Sequence, residues 1–196
     1  MQWSFSWEDS FLLFLQEAVR IPWLNVLMRM VTKLGDAGIA ALLTCLVLLC
    51  IPAYRRIGRI AVLSLILDLL LLNLFLKNII ARVRPYVAIE GLIPIAKLPS
   101  DWSFPSGHTG ATFAVASVLF LVSFWPHLAG GGIPSKSKEK DLPRWIGILA
   151  LILAFLVSFS RLYLGVHYPT DVLAGLVIGW STGLAAVWIH IRFFQK

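Results

Sequence analysis

Five apolar runs dominate this chain, and in a lipid bilayer such runs have one backbone solution. The hydrocarbon offers no water to peptide groups, so each run must satisfy its own N–H and C=O groups as a helix. Run A is roughly Ala37 to Ala53, closed by Tyr54-Arg55-Arg56. Run B is Ile57 to Ile80, broken only by Arg59, Ser64, Asp68, Asn73, Lys77 and Asn78. Run C goes from near Pro105 to Trp125-Pro126, run D from Trp145 to about Phe159, and run E from Val172 to Ile191. With their flanks they approach the roughly 20 residues that a crossing takes. Composition agrees: the 196 residues are 59% hydrophobic and 14% charged, with mean hydropathy +0.83. A soluble domain is nearer about 45–50% apolar and about 25% charged. A disordered chain, a nucleic-acid-binding tail and an ordinary soluble enzyme are thereby excluded. The expected fold is all-α, a polytopic transmembrane helical bundle in one membrane-embedded domain covering residues 1–196.

The N-terminal segment, residues 1–35, is patterned differently. Gln16, Glu17, Arg20, Asn25 and Arg29 interrupt its apolar stretch, and Pro22 splits it. Residues 8–33 therefore read as two short amphipathic helices lying at the membrane interface, with a sixth, imperfect span as the alternative. The opening residues carry Glu8 and Asp9 and no basic n-region, so no cleavable signal peptide is expected. Two connections are long. Residues 86–104 join runs B and C and serve as a lid or as a passive interfacial cover. Residues 126–143 join C and D and read as a flexible basic linker. Cys45 and Cys50 share one apolar run and read as small buried hydrophobes. Gly175, Gly179 and Gly183 place a smooth stripe on one face of run E, suited to close packing within the bundle or, alternatively, to a homodimer interface.

The net charge is +7 and the pI about 9.8. Alternating helices put the A–B and C–D connections and the C-terminus on one side, with Arg55, Arg56, Arg59, Lys136, Lys138, Lys140, Arg144, Arg192 and Lys196. By the positive-inside rule this side is cytoplasmic, and the B–C and D–E connections face outward. The charge thus points to membrane topology and an anionic partner, with no call for nucleic acid.

Three clusters meet on the outward side. Lys77 and Arg84 are seven residues apart, about 700° of helical rotation, so on a continuous helix both point one way. Phe104-Pro105-Ser106-Gly107-His108-Thr109 places a proline in the first turn of a helix, with the amides of Ser106, Gly107 and His108 free to hold a phosphate. Ser160-Arg161 precedes His167 and Asp171. Pro169 marks another helix start, and Asp171 is near enough to His167 to hold an imidazole N–H and make the other nitrogen the better nucleophile. Each cluster alone has a plainer explanation: lysine and arginine reaching for lipid headgroups, an ordinary helix cap, a surface salt bridge. Their conjunction suits phosphoryl transfer through a phosphohistidine, with cations on the equatorial oxygens and the second histidine protonating the leaving oxygen. No acidic cluster or Cys/His ligand set accompanies them, so no metal is implied.

Lys77-(six residues)-Arg84-Pro85, Pro105-Ser106-Gly107-His108 and Ser160-Arg161-(five residues)-His167-(three residues)-Asp171 together resemble the three-part signature of the type 2 phosphatidic acid phosphatase (lipid phosphate phosphatase) superfamily. The resemblance covers residues 77–171 and matches every signature position in order. It implies His167 as the phosphorylated nucleophile, Asp171 as its orienting acid, and His108 as the acid for the leaving group and later the base for water. It implies phosphate binding by Lys77, Arg84, Ser106, Gly107 and Arg161, with no metal ion or cofactor. Soluble vanadium haloperoxidases share this oxyanion site, but five apolar spans argue against that branch. Size and layout resemble bacterial members that dephosphorylate undecaprenyl diphosphate or phosphatidylglycerol phosphate, which implies a bacterial cytoplasmic membrane with the site on the extracytoplasmic face. A lipid phosphotransferase would use the same residues. An anionic-lipid binding or transport protein would use the cations but has no need of the His167–Asp171 spacing.

Asp68 lies within run B, nine residues before Lys77, and is expected to make a buried hydrogen bond to another helix. Asn73 is nearer the Lys77 face, and His127 and His190 fall on the cytoplasmic side, away from the chemistry. A reporter fused after the C-terminus is expected in the cytoplasm, and its accessibility from outside the cell would overturn the assigned orientation.

Overall fold

The computed structural model describes residues 4–130 and 140–194. Most of the basic linker between runs C and D lies outside the described residues. Seven principal helices carry the architecture: α1 (Ser6–Phe14), α2 (Pro22–Gly35), α3 (Ile39–Cys50), α4 (Arg55–Leu69), α5 (Gly107–Phe124), α6 (Arg144–Tyr163) and α7 (Pro169–Phe194). Among the described residues there is no strand. Helix α4 continues through wide π turns at Leu70–Leu76 and a last α turn at Lys77–Ile80.

Runs B, C, D and E each give a helix long and apolar enough to cross a membrane. Run A does not suffice alone. Its helix α3 has 12 residues, about 18 Å at 1.5 Å per residue, against a hydrocarbon core of roughly 30 Å. It becomes a span only with α2, to which it is joined through Asp36–Gly38 at a bend of 52°. Gly38 sits at φ +68°, a left-handed corner that glycine adopts without penalty. The described chain thus has four or five spans. Pro22 opens α2 as its first residue, so the proline separates two N-terminal helices. Residues 8–33 thus fall into two helices as expected, but α2 counts toward a span with α3 and does not stand apart as an interfacial helix, and α1 with nine residues is too short to be a sixth span.

Helix α5 is the axis of the bundle. Its small residues Gly110, Ala111, Ala114 and Ser117 are buried among α4, α6 and α7. A Cβ on Gly175 would lie 2.6 Å from the Ser106 carbonyl oxygen, on Gly179 2.4 Å from that of Gly110, and on Gly183 1.9 Å from Ser117 Oγ. The glycine stripe of run E is therefore buried against α5 of the same chain. The face proposed as a homodimer interface is already occupied, so any association of two copies must use another surface. Outside this seam, Leu74, Phe75, Ile79, Phe155, Val177 and Trp188 are exposed on the bundle's flanks. Large apolar side chains in such number belong against lipid, and the protein is an integral membrane protein.

This packing makes a prediction. Gly179→Ala sets a methyl group into backbone, which cannot yield as a side-chain tip can. It should destabilise the protein by about 1–3 kcal/mol, read as a lowered thermal unfolding temperature in detergent. An unchanged temperature would contradict the close α5–α7 approach.

Candidate active site

The end of α4 does not run on as a helix. Ala81 takes a left-handed conformation at φ +46°, and Arg84 is extended at the start of a short turn, Pro85–Ala88. Lys77 and Arg84 are therefore not two points on one continuous helix, and the angular count does not describe them. They converge by another route. Both bind Asp101, from the connection between runs B and C. Arg84 Nη2 donates to Asp101 Oδ1 at 2.7 Å, Arg84 Nε donates to its carbonyl oxygen at 2.8 Å, and Lys77 Nζ pairs with Oδ2. Partial burial pushes the Asp101 carboxyl up, but the Lys77 ammonium and Arg84 guanidinium outweigh it and hold it down to about 2. Arg161, as buried as Arg84, donates from Nη1 to Thr32 Oγ1 of α2 at 2.7 Å.

The second cluster begins α5, with Ser106 as the residue before its first turn. Pro105 therefore lies ahead of the helix and not in its first turn. The Ser106 amide is not free either: it donates to the Asp171 carbonyl at 3.0 Å. Gly107 and His108 keep the first-turn amides that no helix can bond internally. A Cβ on Gly107 would lie 3.6 Å from Lys77 Nζ and 3.5 Å from Asn73 Oδ1, so the helix start, Lys77 and Asn73 adjoin. His108 Nε2 lies 2.9 Å from Asp36 Oδ1. Gly35 makes that approach feasible, since a Cβ there would come within 2.7 Å of the His108 ring.

His167 stands in the turn between α6 and α7, almost wholly buried. Arg84 Nη1 is 3.2 Å from His167 Nε2. A guanidinium only donates, so Nε2 presents its lone pair to the cationic pocket and the ring proton belongs on Nδ1. Asp171 Oδ2 is 3.5 Å from Nδ1, ion-pair range but not a made hydrogen bond. Burial first, then the charges of Arg84, Arg161 and Lys77, hold the His167 imidazole well below its ordinary 6.5, so it is neutral at pH 7.

Asp171 is held from several sides. Ser103 Oγ donates to Oδ2 at 2.5 Å, the Tyr168 amide to Oδ2 at 2.9 Å, and Arg82 Nη1 to Oδ1 at 2.5 Å. Arg82 has no exposed surface, and its Nη2 donates to Glu8 Oε2 at 2.7 Å. Its guanidinium also stacks on the Tyr168 ring at 3.7 Å. Glu8 Oε1 accepts from the amide and the hydroxyl of Thr170, at 3.0 and 2.7 Å.

The eight residues singled out in the sequence thus lie at one end of the bundle. Sequence reasoning missed six others: Glu8, Thr32, Asp36, Arg82, Asp101 and Ser103. Arg82 had a usable signal, because in extended chain residues i and i+2 face one way, and the assumed helix hid it. Asp68 does not make the hydrogen bond expected of it. Its carboxylate is buried against Gly110 of α5 with no hydrogen-bond partner. His127, in the turn Pro126–Ala129, and His190, late in α7, lie far along the chain's other end.

Comparison with known proteins gives one answer. A model of the PAP2 superfamily matches residues 57–195. The chain is 32% identical over 167 residues to an undecaprenyl-diphosphatase of Sulfolobus acidocaldarius, covering 85% of this chain and 71% of that one. It is 38% identical over 165 residues to phosphatidylglycerophosphatase B of Bacillus subtilis, covering 82% and 72%. The crystal structure of Aquifex aeolicus LpxE superposes with a TM-score of 0.73 at 27% identity, covering 94% of this chain and 97% of that one.

Two predictions follow from the geometry. Arg82→Ala leaves Glu8 and Asp171 buried without their counter-charge and should cost about 3–5 kcal/mol, read by thermal unfolding. Retained stability would show that neither acid depends on Arg82. The Asp101 carboxyl is depressed in the folded state. Its contribution is complete above the unfolded value near 4 and is lost as pH falls through about 2. Any stability difference between Asp101→Asn and the parent should therefore be constant from about pH 5 to 8, and a difference that titrates within that range would contradict the pairing.

Proposed function

Because the chain belongs to the PAP2 superfamily and is an integral-membrane lipid phosphatase, we propose that it frees phosphate from a membrane lipid's headgroup through a phosphohistidine on His167. The observation that carries this reading is the lone pair of His167 Nε2, turned toward Arg84 inside a pocket of buried cations, with Asp171 behind Nδ1. The lipid phosphate displaces Asp101 from Lys77 and Arg84 and takes up their charge with Arg161. Ser106 and Gly107, at the α5 start, complete the cradle. Nε2 attacks phosphorus and the bond to the leaving oxygen breaks, with a proton supplied by His108. Water then attacks the phosphohistidine and gives its proton to His108, and inorganic phosphate leaves. The cations hold the equatorial oxygens through both steps. Asp36, bound to His108 Nε2, orients that ring.

The relatives' names, an undecaprenyl-diphosphatase and a phosphatidylglycerophosphatase, support a lipid diphosphate or monophosphate as the substrate class. The distribution of basic residues supports a site facing out of the cytoplasm of a bacterial inner membrane, with the C-terminus inside. The whole of residues 1–196 acts as one phosphatase domain, since Thr32 and Asp36 reach the signature residues Arg161 and His108, and Glu8 reaches Arg82, which binds Asp171.

Phosphate release from undecaprenyl diphosphate, phosphatidylglycerol phosphate and phosphatidic acid tests the reading. His167→Ala should lose about 10³-fold or more in kcat, and rapid quenching of the parent should trap an acid-labile phosphoprotein that the variant lacks. Unchanged release by His167→Ala would remove the nucleophile assignment. Because His167 is held neutral well below pH 6.5, its protonation should not produce a fall in kcat/KM near that pH, and an acid limb at 6.5 that moves with substitutions at Arg84 would contradict this.

A further inference from the structure

At Arg161 the phosphate site adjoins a cationic cleft of about 450 Å³, between α2 and residues 94–97. Its floor is Arg161, and Arg29, Lys33 and Lys97 line its walls. Helix α2 is fixed in register by two contacts already described. Thr32 accepts from Arg161, and Asp36 is hydrogen-bonded to His108. Arg29 and Lys33 flank Thr32 on the same helix, four residues apart. Like charges at that spacing repel each other unless an anion lies between them. Asp36 is the sole acid among the lining residues, and its Oδ1 is engaged with His108. The cleft therefore adjoins the histidine expected to face the leaving group and carries an excess of positive charge. Helix α2 precedes residue 57, where the match to the family model begins, so Arg29 and Lys33 lie outside the matched region.

We propose that this cleft is a leaving-group subsite for a second phosphate, and that the preferred substrate is a lipid diphosphate. The inference rests on the phosphatase reading of the first pocket. The terminal phosphoryl group goes to His167 Nε2. The bond that breaks joins the terminal phosphorus to the bridging oxygen. That oxygen keeps the electron pair, takes the proton of His108 and leaves on the lipid monophosphate, whose remaining negative charge falls among Arg29, Lys33, Lys97 and Arg161. Water then releases inorganic phosphate from His167 and passes its proton to His108. A lipid alcohol leaving group carries no phosphate to that side and gains nothing from these cations.

The test compares farnesyl diphosphate with farnesyl monophosphate in neutral detergent micelles, for the intact protein and for Arg29→Gln/Lys33→Gln. The intact protein should prefer the diphosphate in kcat/KM. The double variant should lose about tenfold or more on the diphosphate and less than about threefold on the monophosphate, with an unchanged unfolding temperature. Equal losses on both substrates, or no loss on either, would overturn the subsite. Adding phosphatidylglycerol to the micelles separates the other source of the same chemistry. If the cleft instead holds a neighbouring lipid headgroup, the intact protein will respond equally on both substrates, the variant will not respond, and the proposal fails. No turnover of any lipid phosphate by the intact protein would overturn the phosphatase reading itself. Turnover with no diphosphate preference overturns only this proposal.

Discussion

A guanidinium with no exposed surface must be neutralised where it stands, and the catalytic end of this bundle is organised around how Arg82 is neutralised. Arg82 reaches Glu8 on α1 and Asp171 on α7, with Thr170 and Tyr168 beside them. Three parts of the chain distant in sequence are thus bound through one side chain. Taking such charges from water is costly, and it is tolerable because nearly every polar atom of the group has a close partner. Asp171 is consequently committed before it meets His167. It accepts from Arg82, Ser103 and Tyr168, which leaves the histidine at 3.5 Å to be steered by a carboxylate that cannot swing away.

Opposite this anchored acid the pocket is built of cations. Lys77, Arg84 and Arg161 are all nearly buried, and the charges of all three act on His167. Three like charges in one pocket favour any anion that can sit among them, and in the resting protein Asp101 supplies a carboxylate to two of them. The geometry of the free protein is thereby already that of an anion-bound one. In the proposed reaction the substrate phosphate replaces a ligand and does not have to assemble a site.

Much of this was legible in the sequence. Apolar runs located the spans because lipid leaves the backbone no other choice; Pro22 marked the break between two N-terminal helices, and Pro169 marked a helix start because proline fits a first turn, whereas Pro105, read the same way, lies ahead of its helix. The signature residues could be named because phosphate chemistry needs cations, a helix start and an oriented imidazole. Three things escaped. The π turns and the left-handed Ala81 changed the angular count, so Lys77 and Arg84 meet for a different reason than a shared helix face. Run A looked self-sufficient by composition, and only the Gly38 corner shows that it depends on α2. Glu8, Asp36 and Asp101 lie outside the three signature clusters, and their partners are tertiary, which no local pattern reports.

The α5–α7 seam has a consequence of its own. Gly175, Gly179 and Gly183 bring α7 so close to α5 that backbone meets backbone near the site, with little deformable side chain between them. His108 is carried at the start of α5, Asp171 sits in the first turn of α7, and His167 stands in the turn just before it. The spacing of the two histidines is therefore fixed chiefly by main-chain contact. The two histidines are thus carried by helices joined through main-chain contact, and a change in their spacing requires a change in the α5–α7 seam itself.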